Sequence, residues 1–427
     1  MMTLSDPPSV LSSPQRRCQV LLMLFLPGQA ATSERISLIN QVDETITRED
    51  VEETHHEIQR FHRLAIVTHA DGSYRIEGTA LDQRLCLLHW LRRSLRLCPD
   101  FISRQFTPAL KTQLKQSGIS RILYDDINLQ AMINRCARSL GRQFDGRDSR
   151  FLCLFLQYCL LQQQPALAPQ FTESQRQWAR GCPEYQVTAD IARHWQRRTL
   201  REPHPDEHLF LALLFMLLKV PDPRRDHHTQ DIRLYRAVNR LIDRFQHLAG
   251  RPFADREGLR DQLYVHLSQA ANRCLYDIGI DNSLPEEIHR LYPRLMRTTR
   301  EAMSEFESSW QMKFNEEELG LIGVIFGAWL MQESDRHEKQ VVLLTGDDHG
   351  LEQAIEQQLR ELTLLPLNIK HLPLDDFRRD GIPKEVALVI TPYAIPLPLF
   401  SPPIVHVGEV LSDNQCRHLR QMLDGAA

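Results

Sequence analysis

Apolar residues recur at helical spacing through most of this chain and at strand spacing in short stretches near both ends. Gln15 to Leu26 has helical periodicity, and Pro27-Gly28 ends it. Thr32 is a candidate N-cap for a short helix, Ser33 to Val42, with Leu38 and Ile39 facing inward. A third helix is expected from Thr45 to Phe61. Ile46, Val51, Ile58 and Phe61 are its apolar positions, and Thr47 is a candidate cap. Leu64 to Thr68 alternates like a strand, Asp71-Gly72-Ser73 is a turn, and Tyr74 to Ile76 is a second strand. Beyond it, Leu85, Leu88, Trp90 and Leu91 thread an amphipathic helix. Long helical patterns then run to about residue 336. Strands return at Gln340–Leu344, Leu367–Leu372, Val386–Thr391 and Ile404–Val407, alternating with helices at Leu351–Leu362 and Ser412–Leu423. That alternation predicts a small open parallel sheet.

Three helices and a hairpin make the outline of a winged helix-turn-helix over residues 1–78, whose third helix would enter a major groove. Charge argues the other way. These residues hold seven arginines and no lysine against eleven acids. Glu44, Glu49, Asp50, Glu52, Glu53 and Glu57 lie in or beside the third helix. Phosphate affinity depends on Lys and Arg displacing counterions. DNA binding, with Arg48, Arg60 and Arg75 as the basic candidates, therefore stands beside a dimerisation or docking role. Residues 79–124 reverse the balance: Arg84, Arg92, Arg93, Arg96, Arg104, Lys111, Lys115 and Arg121 oppose only Asp82 and Asp100. This basic connector would supply backbone contacts to DNA, or it is a solvated face.

The middle of the chain repeats. Asn134-Arg135 answers Asn239-Arg240, and Gly141-Arg142-Gln143-Phe144 answers Gly250-Arg251-Pro252-Phe253. With Phe155 laid on His266, Glu207 falls on Glu318. Apolar helices follow each, Leu209–Leu218 and Leu319–Leu330, and Pro183 and Pro293 hold nearly matching offsets. Two helical domains, 125–220 and 234–336, account for this, joined by a linker at 221–233 that opens on Pro221-Asp222-Pro223.

The second copy reads Leu263-Tyr264-Val265-His266-Leu267, then Arg273, Ile280-Asp281-Asn282-Ser283-Leu284, Tyr292-Pro293 and Glu318-Leu319-Gly320. This resembles the PTS-regulation domain (PRD) of bacterial sugar-responsive regulators, a superfamily of mannitol-type activators and antiterminators. The resemblance implies tandem PRDs behind a nucleic-acid-binding head, with helix histidines phosphorylated by the phosphotransferase system and dimer packing shifted as a result. Of the four positions that match family phosphohistidines, only His266 is a histidine; the others are Ile325, Phe155 and Leu214. His266 is either a phosphoacceptor or a satisfied histidine on an apolar seam with Leu259, Leu263 and Ala270. Arg273 is placed to meet a phosphate there or to cap the helix.

Residues 339–427 resemble an enzyme IIB domain of the same system, whose phosphocarrier is a loop cysteine. Here the matching residue is Thr345, in Thr345-Gly346-Asp347-Asp348-His349-Gly350, and the two aspartates would repel a phosphate at the helix start. A docking or sensing pseudo-domain is expected. The antiterminator type is disfavoured, because its head is short and β-rich.

Overall composition is globular, with 42% hydrophobic and 25% charged residues and a net charge of −4. Nine cysteines, mostly in apolar helical runs (Cys86, Cys136, Cys153, Cys159, Cys274), read as reduced thiols of a cytoplasmic protein. Arg16-Arg17 before Val20–Leu26 has a signal-peptide outline, but the long leader contains Asp6 and the run is short, so a buried helix is expected. No window is apolar enough to insert in a membrane. His55-His56-Glu57 and Asp226-His227-His228 have ligand chemistry, but neighbouring helix side chains diverge, so no metal is expected. No Ser/His/Asp set, Walker motif or GxGxxG fingerprint is present, which argues against an enzyme and against a cofactor. The expectation is a mainly α, multidomain, cytoplasmic transcriptional regulator, a phosphoprotein acting as a homodimer with a largely degenerate phosphohistidine input. Its expected partners are a second copy, DNA, and phosphocarrier or IIA/IIB proteins. The alternative is a docking module that does not bind DNA.

Overall fold

The computed structural model describes residues 11–26, 28–199, 204–279, 286–332, 339–364, 367–383, 386–395 and 402–424. Two compact units are formed, Met1–Val220 with Leu275–Asp281, and Pro221–Cys274 with Asn282–Ala427.

The first unit opens with α1 (Ser13–Leu24), where Gln15 reaches back to accept the Ser12 N–H at 3.0 Å. Val20, Leu21 and Leu22 of α1 are withdrawn from solvent, so the apolar run is core. Then come β1 (Ala31–Thr32), α2 (Ser33–Asn40), α3 (Glu44–His62), β2 (Ala65–Thr68) and β3 (Ser73–Glu77). The strands pair antiparallel in the order β1-β3-β2. Thr32 caps α2, its hydroxyl accepting from the Arg35 N–H. Two expectations fail here. Leu38 is 78% exposed, because this two-turn helix buries Ile36 and Asn40 and leaves residue 38 on the opposite side. Thr47 is not a cap. Asp43 accepts the N–H groups of Thr45 and Ile46, so α3 starts earlier, and Thr47 lies buried with its hydroxyl 2.7 Å from that of Ser37. Pro27 lies outside the described residues.

The unit continues with α4 (Ala80–Leu97) and α5 (Pro99–Phe101), which passes through one wide turn (Ile102–Phe106) into α6 (Thr107–Gln116). Next are α7 (Arg121–Tyr124), α8 (Asp126–Ser139), α9 (Gly146–Leu161), α10 (Glu173–Arg180), α11 (Pro183–Thr199) and α12 (Pro205–Leu217). Every residue from Phe151 to Leu161 is buried, which makes α9 the central rod of the unit.

The second unit holds α13 (Thr229–Ala249), α14 (Arg256–Leu275), α15 (Glu286–Leu291), α16 (Pro293–Trp310) and α17 (Glu316–Gln332). The long helices α13, α14, α16 and α17 repeat the order of α8, α9, α11 and α12. The shared Gly-Arg-x-Phe motif has the same physical content in both copies. Gly141 and Gly250 take left-handed backbone at φ 64° and 70° beside a helix C-terminus. Phe144 then packs on Phe215 with ring centroids 5.9 Å apart, and Phe253 on Phe326 at 6.0 Å. The Ile280–Leu284 stretch lies outside the described residues.

The chain ends in β4 (Lys339–Thr345), α18 (His349–Arg360), β5 (Leu367–Pro373), α19 (Leu374–Asp380), β6 (Leu388–Thr391), β7 (Ile404–His406) and α20 (Asp413–Asp424). Its strands are all parallel, in the order β5-β4-β6-β7. Helix α19 was not expected. It buries only Phe377, so it has no apolar period to read.

Candidate functional site

The second unit builds its site around Glu318. Asn315 accepts the Glu318 N–H at 2.8 Å and fixes the first turn of α17, and the Glu318 carboxylate is buried there. His266 and Arg273 are two helical turns apart on α14, so both side chains lie on one face of that helix. Arg273 donates Nε to Oε1 of Glu318 at 2.6 Å and Nη2 to Oε2 at 3.2 Å. The His266 Nε2 lies 3.2 Å from Oε2. It is withdrawn from water but lies off the axis of a hydrogen bond. Burial pushes the Glu318 carboxyl up, but the contacts from His266 and Arg273 outweigh it and hold the group below its ordinary value.

This arrangement has a defined chemistry. A phosphoryl group on His266 would bring nearly two negative charges against a buried carboxylate. Arg273 cannot neutralise both at full strength. The His266–Glu318 contact would have to open, and α14 and α17 would repack.

The first unit keeps the acid and changes everything around it. Glu207 is buried at the start of α12. Phe155 stands where His266 stands, and Gln162 where Arg273 stands. The cation comes instead from α4. Arg84 donates Nη1 to Oε2 and Nη2 to Oε1 of Glu207, both at 2.7 Å. Its Nη2 also donates to the Leu167 carbonyl at 2.9 Å, and its guanidinium lies 5.1 Å from the Phe210 ring centroid. Arg84 is only 2% exposed. Its place on the basic connector face is therefore corrected: it is an internal ion pair. Sequence reasoning missed this, although a signal existed. Leu81, Leu85 and Leu88 share the apolar stripe of α4 with Arg84, and an arginine there needs a buried partner.

The remaining family positions are apolar side chains, with Leu214 fully buried and Ile325 half-buried. In the C-terminal domain the loop after β4 is filled from within. Glu352, buried, accepts the Gly346 N–H at 2.5 Å and the Tyr393 hydroxyl at 2.9 Å, and lies 3.2 Å from Nδ1 of His349. Asp348 caps α18 through the Leu351 N–H. A carboxylate thus takes the Gly346 N–H of this loop.

In the head, Arg48 lies 3.5 Å from Glu44, Arg75 lies 3.6 Å from Asp71, and Arg60 lies over the Phe61 ring. Arg92 meets Asp148 at 3.3 Å, and Arg93 meets Glu57 at 2.6 Å. The exposed positions of α3 include Glu49, Glu52 and Glu53 as well as Arg48 and Arg60. His55 accepts the Ile66 N–H, and His56 pairs with Glu52. Among the described residues, no three ligand-type side chains converge as a metal would need, and no helix is long and apolar enough to cross a membrane.

Comparison with known proteins finds a PRD in the second copy. A model of the PRD domain matches residues 239–329, and one of the stationary phase-inducible protein CsiE, C-terminal domain, matches residues 339–423. The chain is 57% identical over 426 residues to the stationary phase-inducible protein CsiE of Escherichia coli (strain K12), covering 100% of both chains. It is 23% identical over 211 residues to the transcriptional regulator ManR of Bacillus subtilis (strain 168), across 46% of this chain and 32% of that protein.

Proposed function

This chain belongs to the family of the stationary phase-inducible protein CsiE, and we propose that it is a PRD-class transcriptional regulator whose one remaining phosphohistidine input is His266. The observation that carries this reading is the contrast between the two buried glutamates. Glu318 faces a histidine and an arginine on one neighbouring helix, whereas Glu207 is clamped by Arg84 and has Phe155 at the position matching His266. Phosphorylation of His266 disrupts the first arrangement and has no counterpart in the second. The bundles then act as a homodimerisation element whose packing follows that one charge. Residues 1–78 are a winged helix-turn-helix head, 79–124 a connector, 125–220 and 234–336 the two PRDs about a 221–233 linker, and 339–427 an enzyme IIB-like domain without a phosphocarrier cysteine.

The test is phosphotransfer. The full chain is incubated with phosphoenolpyruvate and the general phosphotransferase proteins, and acid-labile, base-stable label is counted. Label is expected on the unaltered chain and on Arg84→Met, and is expected to be lost in His266→Ala. Undiminished label in His266→Ala would overturn the assignment.

For the output, Arg48, Arg60 and Arg75 are the candidate duplex contacts. A second reading has a specific observation behind it: the exposed face of α3 also carries Glu49, Glu52 and Glu53. Such a face suits docking on a protein, either a phosphotransferase-system component or another regulator. Titration of random duplex at 50 mM salt separates the two. Binding that weakens steeply with salt supports the DNA reading, and no binding at that salt leaves docking.

A further inference from the structure

A cavity of ≈ 350 Å³ lies in the first unit between α4 and the start of α9. That volume is at the small end of the range that ordinarily holds small molecules. Its walls carry four guanidiniums (Arg92, Arg93, Arg96 and Arg147) against two carboxylates, Asp145 and Asp148. Both carboxylates are already engaged. Asp145 accepts the Asp148 N–H at 2.7 Å, and Asp148 meets Arg92 at 3.3 Å. Arg93 is likewise held by Glu57. Arg96 is exposed and has no carboxylate partner among the described residues. The rest of the lining is His89 and the apolar Leu88, Leu95 and Phe151, and the Arg92 guanidinium lies 5.9 Å from the Phe151 ring centroid. An aromatic face under one guanidinium and an unopposed second guanidinium make a site for an anion that carries a carbon body.

We propose that this cavity binds a small phosphate monoester. Arg92 and Arg96 take the phosphate, and the organic part lies on Leu88, Leu95 and Phe151. The placement has a mechanical consequence. The same helix that supplies both arginines carries Arg84, about two turns before Arg92 and three before Arg96, into the Glu207 clamp. Occupation of the cavity would brace α4, the helix that carries Arg84, against the start of α9. The first bundle, which has no histidine to phosphorylate at position 155, would respond to a soluble anion instead.

Calorimetric titration of the full chain with phenyl phosphate, adenosine monophosphate and inorganic phosphate tests this. At least one monoester is expected to bind with a Kd of about 1 mM or tighter, which corresponds to roughly 4 kcal/mol. That affinity is expected to be at least tenfold above that of inorganic phosphate. Arg96→Ala is expected to weaken it at least tenfold, Arg96→Lys to restore part of it, and Arg225→Ala, on an exposed turn of the second unit, to leave it unchanged. Arg96 is exposed, so its truncation leaves the core intact, and an unchanged melting temperature without ligand confirms this. The proposal fails if neither monoester binds better than inorganic phosphate, or if Arg96→Ala binds as well as the parent. It also fails if duplex DNA, and no monoester, shows the dependence on Arg96.

Discussion

Replacing Arg84 with Met tests the Arg84–Glu207 clamp directly. Methionine keeps the length and most of the volume of the side chain, so the packing against Leu81, Leu85 and Leu88 survives. What is lost is the cation. Glu207 is left as a buried carboxylate without its two 2.7 Å hydrogen bonds, and the Leu167 carbonyl loses a donor at 2.9 Å. Removing one partner of a buried pair costs about 3–5 kcal/mol. With a urea dependence of roughly 2–3 kcal/mol/M for a unit of this size, the midpoint should fall by about 1–2.5 M. Hydrogen exchange in urea, read by mass spectrometry on peptides from α4, α9 and α12, reports this unit separately from the second. The paired change Arg84→Met with Glu207→Leu removes both charges, and replacing a whole buried pair by apolar groups is often close to neutral. It should recover at least about 2 kcal/mol of the loss. The reasoning is refuted if Arg84→Met costs less than about 1 kcal/mol, or if the double variant is no more stable than the single one.

Further expectations follow from single contacts. Gly250 ends α13 at φ 70°, so Gly250→Ala should destabilise the second unit by about 1–2 kcal/mol in chemical denaturation, and Gly141→Ala at φ 64° should do the same in the first. Glu318 is held below its ordinary carboxylate value in the folded chain. Its stabilising contribution is therefore present above a pH of roughly 4.3 and lost as pH falls through the lowered folded value. Glu318→Gln should lower stability at pH 7 and flatten that acid limb, as measured by urea midpoints between pH 3 and 7. An unaltered limb would show that Glu318 is not the group responsible. In the C-terminal domain, a Cβ added at Gly346 would fall 2.8 Å from Cζ of Tyr393. Gly346→Ala should therefore cost about 1–3 kcal/mol, and Tyr393→Ala should relieve part of that cost if the ring is the obstacle.

Much of the fold was legible because it is local. Gly141 and Gly250 mark helix ends by their backbone need, and Phe144 and Phe253 mark the core residue that follows, so the repeat announced itself at short range. The central parallel strands β4 and β6 of the C-terminal domain carry continuous apolar runs, Val341–Leu344 and Leu388–Ile390, as strands covered on both faces should. The errors at Leu38 and Thr47 have a common cause. A two-turn helix and the first turn of α3 contain too few residues for periodicity to choose a face or a cap, and tertiary packing decided both. Of the site, His266, Arg273 and Glu318 could be named because the repeat and the family resemblance located them. Arg84 was marked only as a charge on the apolar stripe of α4; its partner lies 123 residues away, and no pattern identifies it. Glu352 was missed for a related reason. Attention to Asp347 and Asp348 as repelling charges hid the carboxylate that occupies the loop.

Arg84 and Glu352 make the same physical point at two places. A buried carboxylate cannot be left without a counter-charge or donors. In the first bundle the acid Glu207 is present while positions 155 and 162 offer neither histidine nor arginine, so a cation from outside the repeated helices must neutralise it. Arg84 does so, and thereby ties the connector to the bundle. In the C-terminal loop the N–H of Gly346 is satisfied by Glu352, so an incoming phosphate would have to displace a carboxylate that Tyr393 also holds. Both places are closed by covalently attached partners whose effective concentration no soluble ligand readily matches. His266 stands apart, since it adjoins its carboxylate without an aligned hydrogen bond and needs no displacement of a remote segment to change its charge. On the proposed reading, that difference places the phosphorylatable histidine in the second bundle, whereas Glu207 of the first bundle and Glu352 of the C-terminal domain are each held by partners within their own unit.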